Sequence, residues 1–355
     1  MKLESTIVIH KTFGIGKVIR VAGNNVTVLF DLGENNFIYP DAFEKYLTTD
    51  DSSAGRIIDS DIEARKNEIA QRLLEEAKER QKSRQFEKEN TRIRKKSKSY
   101  VSSKQEVRSN IAFKCNFCDG GATKDNIGFR GICSYENMRN NIAVKKRPWC
   151  SHKDSPCNHY ITRKISGEVL NSYMNGNPED IGVCYESRML INWSAHAGVA
   201  HSGQKEDTPF LIKGVENNSL AVLTTRLPQK DTEQNRIIFA VFLVDESYEG
   251  DDWDAGYVTT RSKYKIALKP EEAVKVLFWN YYSNKGNTSL PMWGTGLFRY
   301  FDDIMAIQIL KDIAEIKKGG PDEDLAKEFL THFCYVTSID PTTIPLAAGA
   351  LMKQR

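Results

Sequence analysis

The sequence predicts an α+β, multidomain protein: a small N-terminal β-barrel, a helical arm, a cysteine-rich metal module and a C-terminal β-barrel with flanking helices. Three observations predict it. The 355 residues exceed one minimal domain, and with 40% hydrophobic and 27% charged side chains they call for several packed units plus a solvated segment. Short, turn-bounded strand patterns gather near the N-terminus and beyond residue 190, with a long breaker-poor stretch after the first group. Five of the 7 cysteines crowd into residues 110–160.

The first fifty residues read as four short strands at 6–10, 16–21, 26–31 and 37–40, closed by a short helix at 41–47. Their order carries His10-x-x-Phe13-Gly14-x-Gly16-x-Val18, then Val28-x-Phe30-Asp31, then Tyr39-Pro40-x-Ala42-Phe43. This order resembles the small SH3-like or Tudor-like barrels appended to bacterial nucleic-acid proteins, which implies a domain over 1–50. Gly14 and Gly16 do not form a phosphate loop, because no Gly-Lys-Ser/Thr follows them.

Residues 51–108 read as a linker followed by a basic helical arm, the helix running from about 61 to 98. Ile62, Ile69, Leu73 and Ala77 give it one apolar face near its start, and only Phe86 and Ile93 continue that face. A solvated helix results, open to a protein partner through 62–98. It ends in Arg92, Arg94, Lys95, Lys96 and Lys98, a cluster suited to phosphate contact.

The charge distribution sharpens that expectation. A net charge of +3 hides three unequal parts. Residues 1–61 carry 6 basic and 9 acidic side chains, residues 62–164 carry 25 and 12, and residues 165–355 carry 19 and 26. A solvated helix with ordinary surface lysines accounts for part of this, but a basic stretch of that length points to a polyanion, DNA or RNA.

Residues 109–165 form the cysteine module. Cys115-x-x-Cys118 is followed by Asp119-Gly120-Gly121, the turn a metal knuckle needs, and Cys150 and Cys157 bracket a second loop. Zinc takes four soft or borderline ligands from two short loops, so Cys115, Cys118, Cys150 and Cys157 are the expected set, with Cys133 or His152 as substitutes. Structural Zn²⁺ is the expected cofactor, ahead of an iron–sulfur cluster. Lys145, Lys146 and Arg147 place further phosphate-binding candidates on the module.

The C-terminal domain is expected over 166–355, and from about 183 the composition turns acidic and aromatic. Strands are expected at 219–225, 237–245, 256–260 and 264–268, with helices at 270–281, 302–317 and 321–336. The acidic run from Asp245 to Asp254 fits no calcium loop and reads as a solvated turn. Trp193 with Gly198, the strands at 217–226 and 237–245, and Phe278-Trp279-Asn280-Tyr281-Tyr282 together resemble the PUA-like superfamily, with its EVE, YTH and ASCH domains. The resemblance implies a pocket that holds a nucleobase, often a modified one. Trp193, Trp279 and Trp293 would be its walls, and Asn217, Ser219, Thr225 and Arg226 its polar contacts. Each also has a plainer reading as core or strand residue.

The leading expectation is a nucleic-acid-binding reader of modified or flipped bases, set by the resemblance in bacterial restriction or phage defence. A metal-dependent nuclease acting on modified DNA is the alternative, although no catalytic constellation is found. A structural adaptor using the helical arm is the third. No run of about 18 apolar residues exists to span a membrane, and the N-terminus lacks a secretory pattern, so the cytoplasm is the expected location.

Overall fold

The computed structural model describes residues 3–95, 108–121, 127–175, 182–200, 208–294 and 296–353. It is α+β and divides into two compact units, Met1–Phe86 with Lys153–Gly182 and Glu87–His152 with Val183–Arg355. Among the described residues no helix is long and apolar enough to cross a membrane.

The first unit is built on an antiparallel sheet of β1 (Ile7–His10), β2 (Gly14–Ala22), β3 (Asn25–Phe30), β4 (Gly33–Ile38) and β5 (Leu47–Thr48), in the order β4-β3-β2-β1-β5. With β4 and β5 as its two edges, the sheet is a curled half-barrel rather than a closed one. Inward and outward residues alternate, and Val8, Val18, Val26, Val28 and Phe30 form the core. The β1–β2 turn is held by the His10 ring, whose Nδ1 accepts the Thr12 and Phe13 N–H groups at 3.0 and 3.2 Å. Gly16 is required where it stands: a Cβ there would lie 2.6 Å from the Phe30 ring.

Helix α1 (Asp41–Lys45) follows, then α2 (Ser52–Lys95). The expected linker before the arm is therefore helical from Ser52 onward. The Asp51 carboxylate accepts the Ser53 and Ala54 N–H groups at 2.8 and 3.1 Å, supplying the start. Ala54 and Ile58 then pack into the sheet's core, and Tyr39 donates to Asp61 at 2.5 Å. Burial of this first stretch outweighs the polar composition that reads as linker. The side chains of Arg92, Arg94 and Lys95, and all of Lys96, lie outside the described residues.

The second unit is built on a sheet of β6 (Asn110–Lys114), β8 (Leu220–Thr225), β9 (Ile237–Leu243), β12 (Lys265–Ala267) and β13 (Phe298–Phe301), ordered β12-β9-β8-β6-β13. Only the β6–β8 pair is parallel, with Lys114 opposite Thr224. β7 (Ser194–His196), β10 (Glu246–Gly250) and β11 (Ala255–Thr259) make a smaller sheet. Helices α9 (Asp303–Ile316) and α10 (Glu323–Thr337) flank the core; between α2 and α9 lie the short helices α3 (Tyr135–Arg139), α4 (Pro148–Ser151), α5 (Pro156–Ile161), α6 (Gly167–Asn175), α7 (Met189–Asn192) and α8 (Pro270–Ala273). Of these α5 and α6 belong to the first unit.

Three expectations change here. β6, expected inside a separate cysteine module, is an interior strand of the C-terminal sheet, so no structural boundary falls at 165/166 within that sheet. Residues 109–165 are in fact shared between the two units. The acidic run is a β10–β11 hairpin rather than a free turn, with Glu246 opposite Thr259 and Tyr248 opposite Tyr257. The helix expected over 270–281 stops at Ala273. Its continuation is captured by β9: Ile238 N–H donates to Val276 O and Phe278 N–H to Arg236 O, each at 2.9 Å.

Candidate functional site

Because β6 and β8 run parallel, their carboxyl ends open at the same edge of the sheet, and the antiparallel β9 begins there. The chain therefore brings Lys114 to the same edge as Arg226 and Arg236, more than a hundred residues further on. Arg236 is almost fully buried; its Nε and Nη2 donate to the two oxygens of Glu233 at 2.9 and 2.8 Å, and its Nη1 donates to Thr224 Oγ1 at 3.3 Å. Its guanidinium lies 4.8 Å from the Trp293 ring centroid, and that of Arg299 lies 5.5 Å from it.

A second carboxylate, Asp231, pairs with Arg226 Nε at 3.2 Å and with Lys145 Nζ. Burial pushes Asp231 up, but the Lys145 hydrogen bond and the charges of Arg226, Lys145 and Arg147 hold it below the usual carboxylate range. Burial likewise works against Glu233, and Arg236, Arg226 and Lys114 outweigh it, so Glu233 is also lowered. Lys114 is lowered in turn, first by burial and then by Arg236, with Arg226 and Arg147 adding to the effect against Glu233. Lys114, Lys145, Arg147, Arg226 and Arg236 thus share two carboxylates. Among the described residues the surplus is positive, and Arg147 Nε is buried without a hydrogen-bond partner. Lys145 and the neighbouring Lys146 are exposed beside this cluster.

The loop leaving β6 at this edge carries the cysteines, and the structure sorts them differently from their spacing. Cys115 belongs to the apolar core: its Sγ rests 3.7 Å from Met189 Sδ, and burial raises the thiol well above its ordinary value. Cys118 instead meets Cys133, sulfur to sulfur at 3.6 Å. Cys133 donates its proton, which raises Cys133 and favours the thiolate at Cys118. Cys157 belongs to the other unit, in α5. Among the described residues, no three metal-ligating side chains converge as a ready group.

The predicted base pocket does not assemble as one site. Trp279 and Trp293 are 0% and 1% exposed, packed with Phe278 and with each other as core. Ser219 and Thr225 lie at opposite ends of β8, and at about 3.3 Å per residue Ser219 and Arg226 are roughly 20 Å apart, too far for one base. Backbone groups already occupy both hydroxyls: Ser219 Oγ accepts from Glu216 N at 3.2 Å, and Thr225 Oγ1 donates to Cys115 O at 3.1 Å. Trp193 sits toward the Ser219 end, its ring edge-on to Phe242, with Lys265 Nζ 5.9 Å from its centroid; Asn217 is exposed at that same end.

Of the sequence candidates, then, Lys145, Arg147 and Arg226 come together, while Asn217, Ser219 and Trp193 lie elsewhere. Asp231, Glu233, Arg236 and Arg299 were not anticipated. The charge alternation Asp231-x-Glu233-x-x-Arg236 just ahead of a confident strand was the available signal, since charges beside a buried strand must be paired. The chain matches no family model, no curated protein and no solved structure.

Proposed function

We propose that this chain binds nucleic acid, gripping the phosphate backbone at the carboxyl ends of β6 and β8. The observation that carries the proposal is the clustering of Lys114, Lys145, Arg147, Arg226 and Arg236 around two carboxylates among the described residues, drawn from four separate stretches of chain. A cationic site of this kind supplies affinity without sequence information. The finer form of the proposal is a reader of modified or flipped bases in a restriction or phage-defence setting. It is supported by the PUA-like pattern and by Trp193, the half-buried tryptophan that remains available for stacking.

The test is oligonucleotide binding by the full chain across a salt series, with duplex DNA and single-stranded RNA as probes. A linear fall of log affinity with log salt is expected. The triple variant Lys145→Ala, Lys146→Ala, Arg147→Ala should bind at least tenfold more weakly and with a shallower slope, losing about one unit per phosphate contact removed. A control removing Lys311, Lys318 and Lys327 should leave both nearly unchanged. Equal losses in the two triples, or no binding to either probe at low salt, would sink the proposal. A preference for modified over plain oligonucleotides that Trp193→Ala abolishes would support the base-reading form.

A further inference from the structure

Cys118 lies at the foot of two interlocked loops. Gly120 and Gly121 turn the chain with φ of +58° and +86°. The facing loop presses so close that a Cβ on Gly128 would fall 2.1 Å from the Asp119 and Gly120 backbone. The Cys118 sulfur donates to Gly131 O at 3.4 Å. Asp119 ties the first loop to the N-cap of α3, accepting from Ser134 N at 2.8 Å and from Ser134 Oγ at 2.5 Å. Asn137, one turn on, donates to Cys133 Sγ at 3.3 Å and to Phe117 O at 3.4 Å. The Cys133 sulfur therefore has an amide donor already in place, the kind of contact that stabilises thiolate charge around a metal.

Two thiolates on one tetrahedral zinc stand about 3.8 Å apart, given Zn–S bonds of about 2.3 Å, whereas a disulfide needs about 2.05 Å. The Cys118–Cys133 separation of 3.6 Å matches the first. A third thiol, Cys184, opens the turn that leads into α7; it stands within electrostatic reach of both Cys118 and Cys133. A fourth, Cys150 in the four-residue α4, stands within the same reach of Cys184. All four belong to the second unit.

We infer that Cys118, Cys133, Cys150 and Cys184 together hold one zinc ion. Cys118 and Cys133 form the preset half, and metal binding draws in Cys184 and Cys150 as all four thiols release their protons. Cys115 is excluded by its place in the apolar core, its Sγ against Met189 Sδ. The site would staple the loop after β6, the segment before α3, helix α4 and the segment before α7, four pieces joined by little regular structure. It does not depend on the nucleic-acid reading, because it is measured with no oligonucleotide present.

The test is metal analysis of the full chain purified without chelator, followed by zinc-to-cobalt exchange. One equivalent of zinc is expected, and the cobalt form should show the charge-transfer and d–d bands of a tetrahedral four-thiolate site. Cys184→Ser and Cys133→Ser should each lower the metal content severalfold, while Cys157→Ser and Cys334→Ser keep a full equivalent. Full retention in Cys184→Ser, loss in Cys157→Ser, an iron–sulfur chromophore, or a metal-free chain that takes up neither ion overturns the assignment. Should the serine variants fail to fold, the cobalt spectrum of the unaltered chain decides alone, since fewer than four thiolates weakens the charge-transfer band.

Discussion

The half-barrel of the first unit and the central sheet of the second are both five-stranded, and their strands are made in opposite ways. β1 and β2 alternate between exposed and buried residues, while every residue of β8 and β9 is buried. The first sheet has one covered face, and its outer face shows Ile7, Ile9 and Ile15, with Ile9 opposite Ile15 across the strands. The second is covered on both faces, as an interior parallel pair requires. The difference teaches where substitutions and charges matter: an outward isoleucine of the half-barrel has nothing to lose, while a side chain of the central sheet touches neighbours on all sides.

The largest break in that contrast should come from Phe239→Ala. Phe239 is fully buried and stacks on Phe129 at 4.1 Å, so its removal opens a cavity beneath the loop that carries Cys133. A loss of about 3–5 kcal/mol is expected in denaturant unfolding, and a loss below 1 kcal/mol would contradict the packing.

A smaller effect belongs to the paired charges at the end of the central sheet. Glu233 is lowered from an ordinary value of 4.5, so its pairing contributes stability that is present above that pH and is lost as pH falls through the folded value beneath it. Glu233→Gln should therefore be less stable than the natural chain at neutral pH, and the gap should narrow steadily below about pH 4.5. A gap that stays constant through the acid range would show that the carboxylate is not held by Arg236.

The smallest effect is expected on the outer face of the half-barrel. Ile15 is 66% exposed, and Ile15→Thr keeps the β-branch the strand favours, so stability should change by about 0.5 kcal/mol or less. A larger loss would mean that this face is covered.

The same contrast explains what was legible in the sequence. Three of the four N-terminal strands stand within about two residues of their expected places, because alternation marks both strand and face, while β4 begins four residues ahead of its expected start. β8 and β9 were legible as continuous apolar runs. β6 was not: a five-residue segment has too short a pattern to announce itself, and its partner is 110 residues away. The candidate site shared that obscurity. Lys145 and Arg147 showed as part of a basic stretch, yet nothing near them in sequence pointed to Asp231 or Arg226. The cysteine spacing favoured Cys115 with Cys118, since a Cys-x-x-Cys pair is the usual knuckle, and gave no reason to single out Cys184.

The sequence by itself determined the α+β character, the strand-rich ends, the long helix and the concentration of positive charge in the middle of the chain. These follow from local periodicity and composition, which act over a few residues. The tertiary structure alone decided which charges and which thiols meet. Parallel pairing of β6 with β8 sends two loops out of one edge, and this brings residues a hundred positions apart within reach of one another. Strand pairing over that distance is set by how two-sided burial is satisfied across the whole sheet, a condition no short stretch of sequence contains.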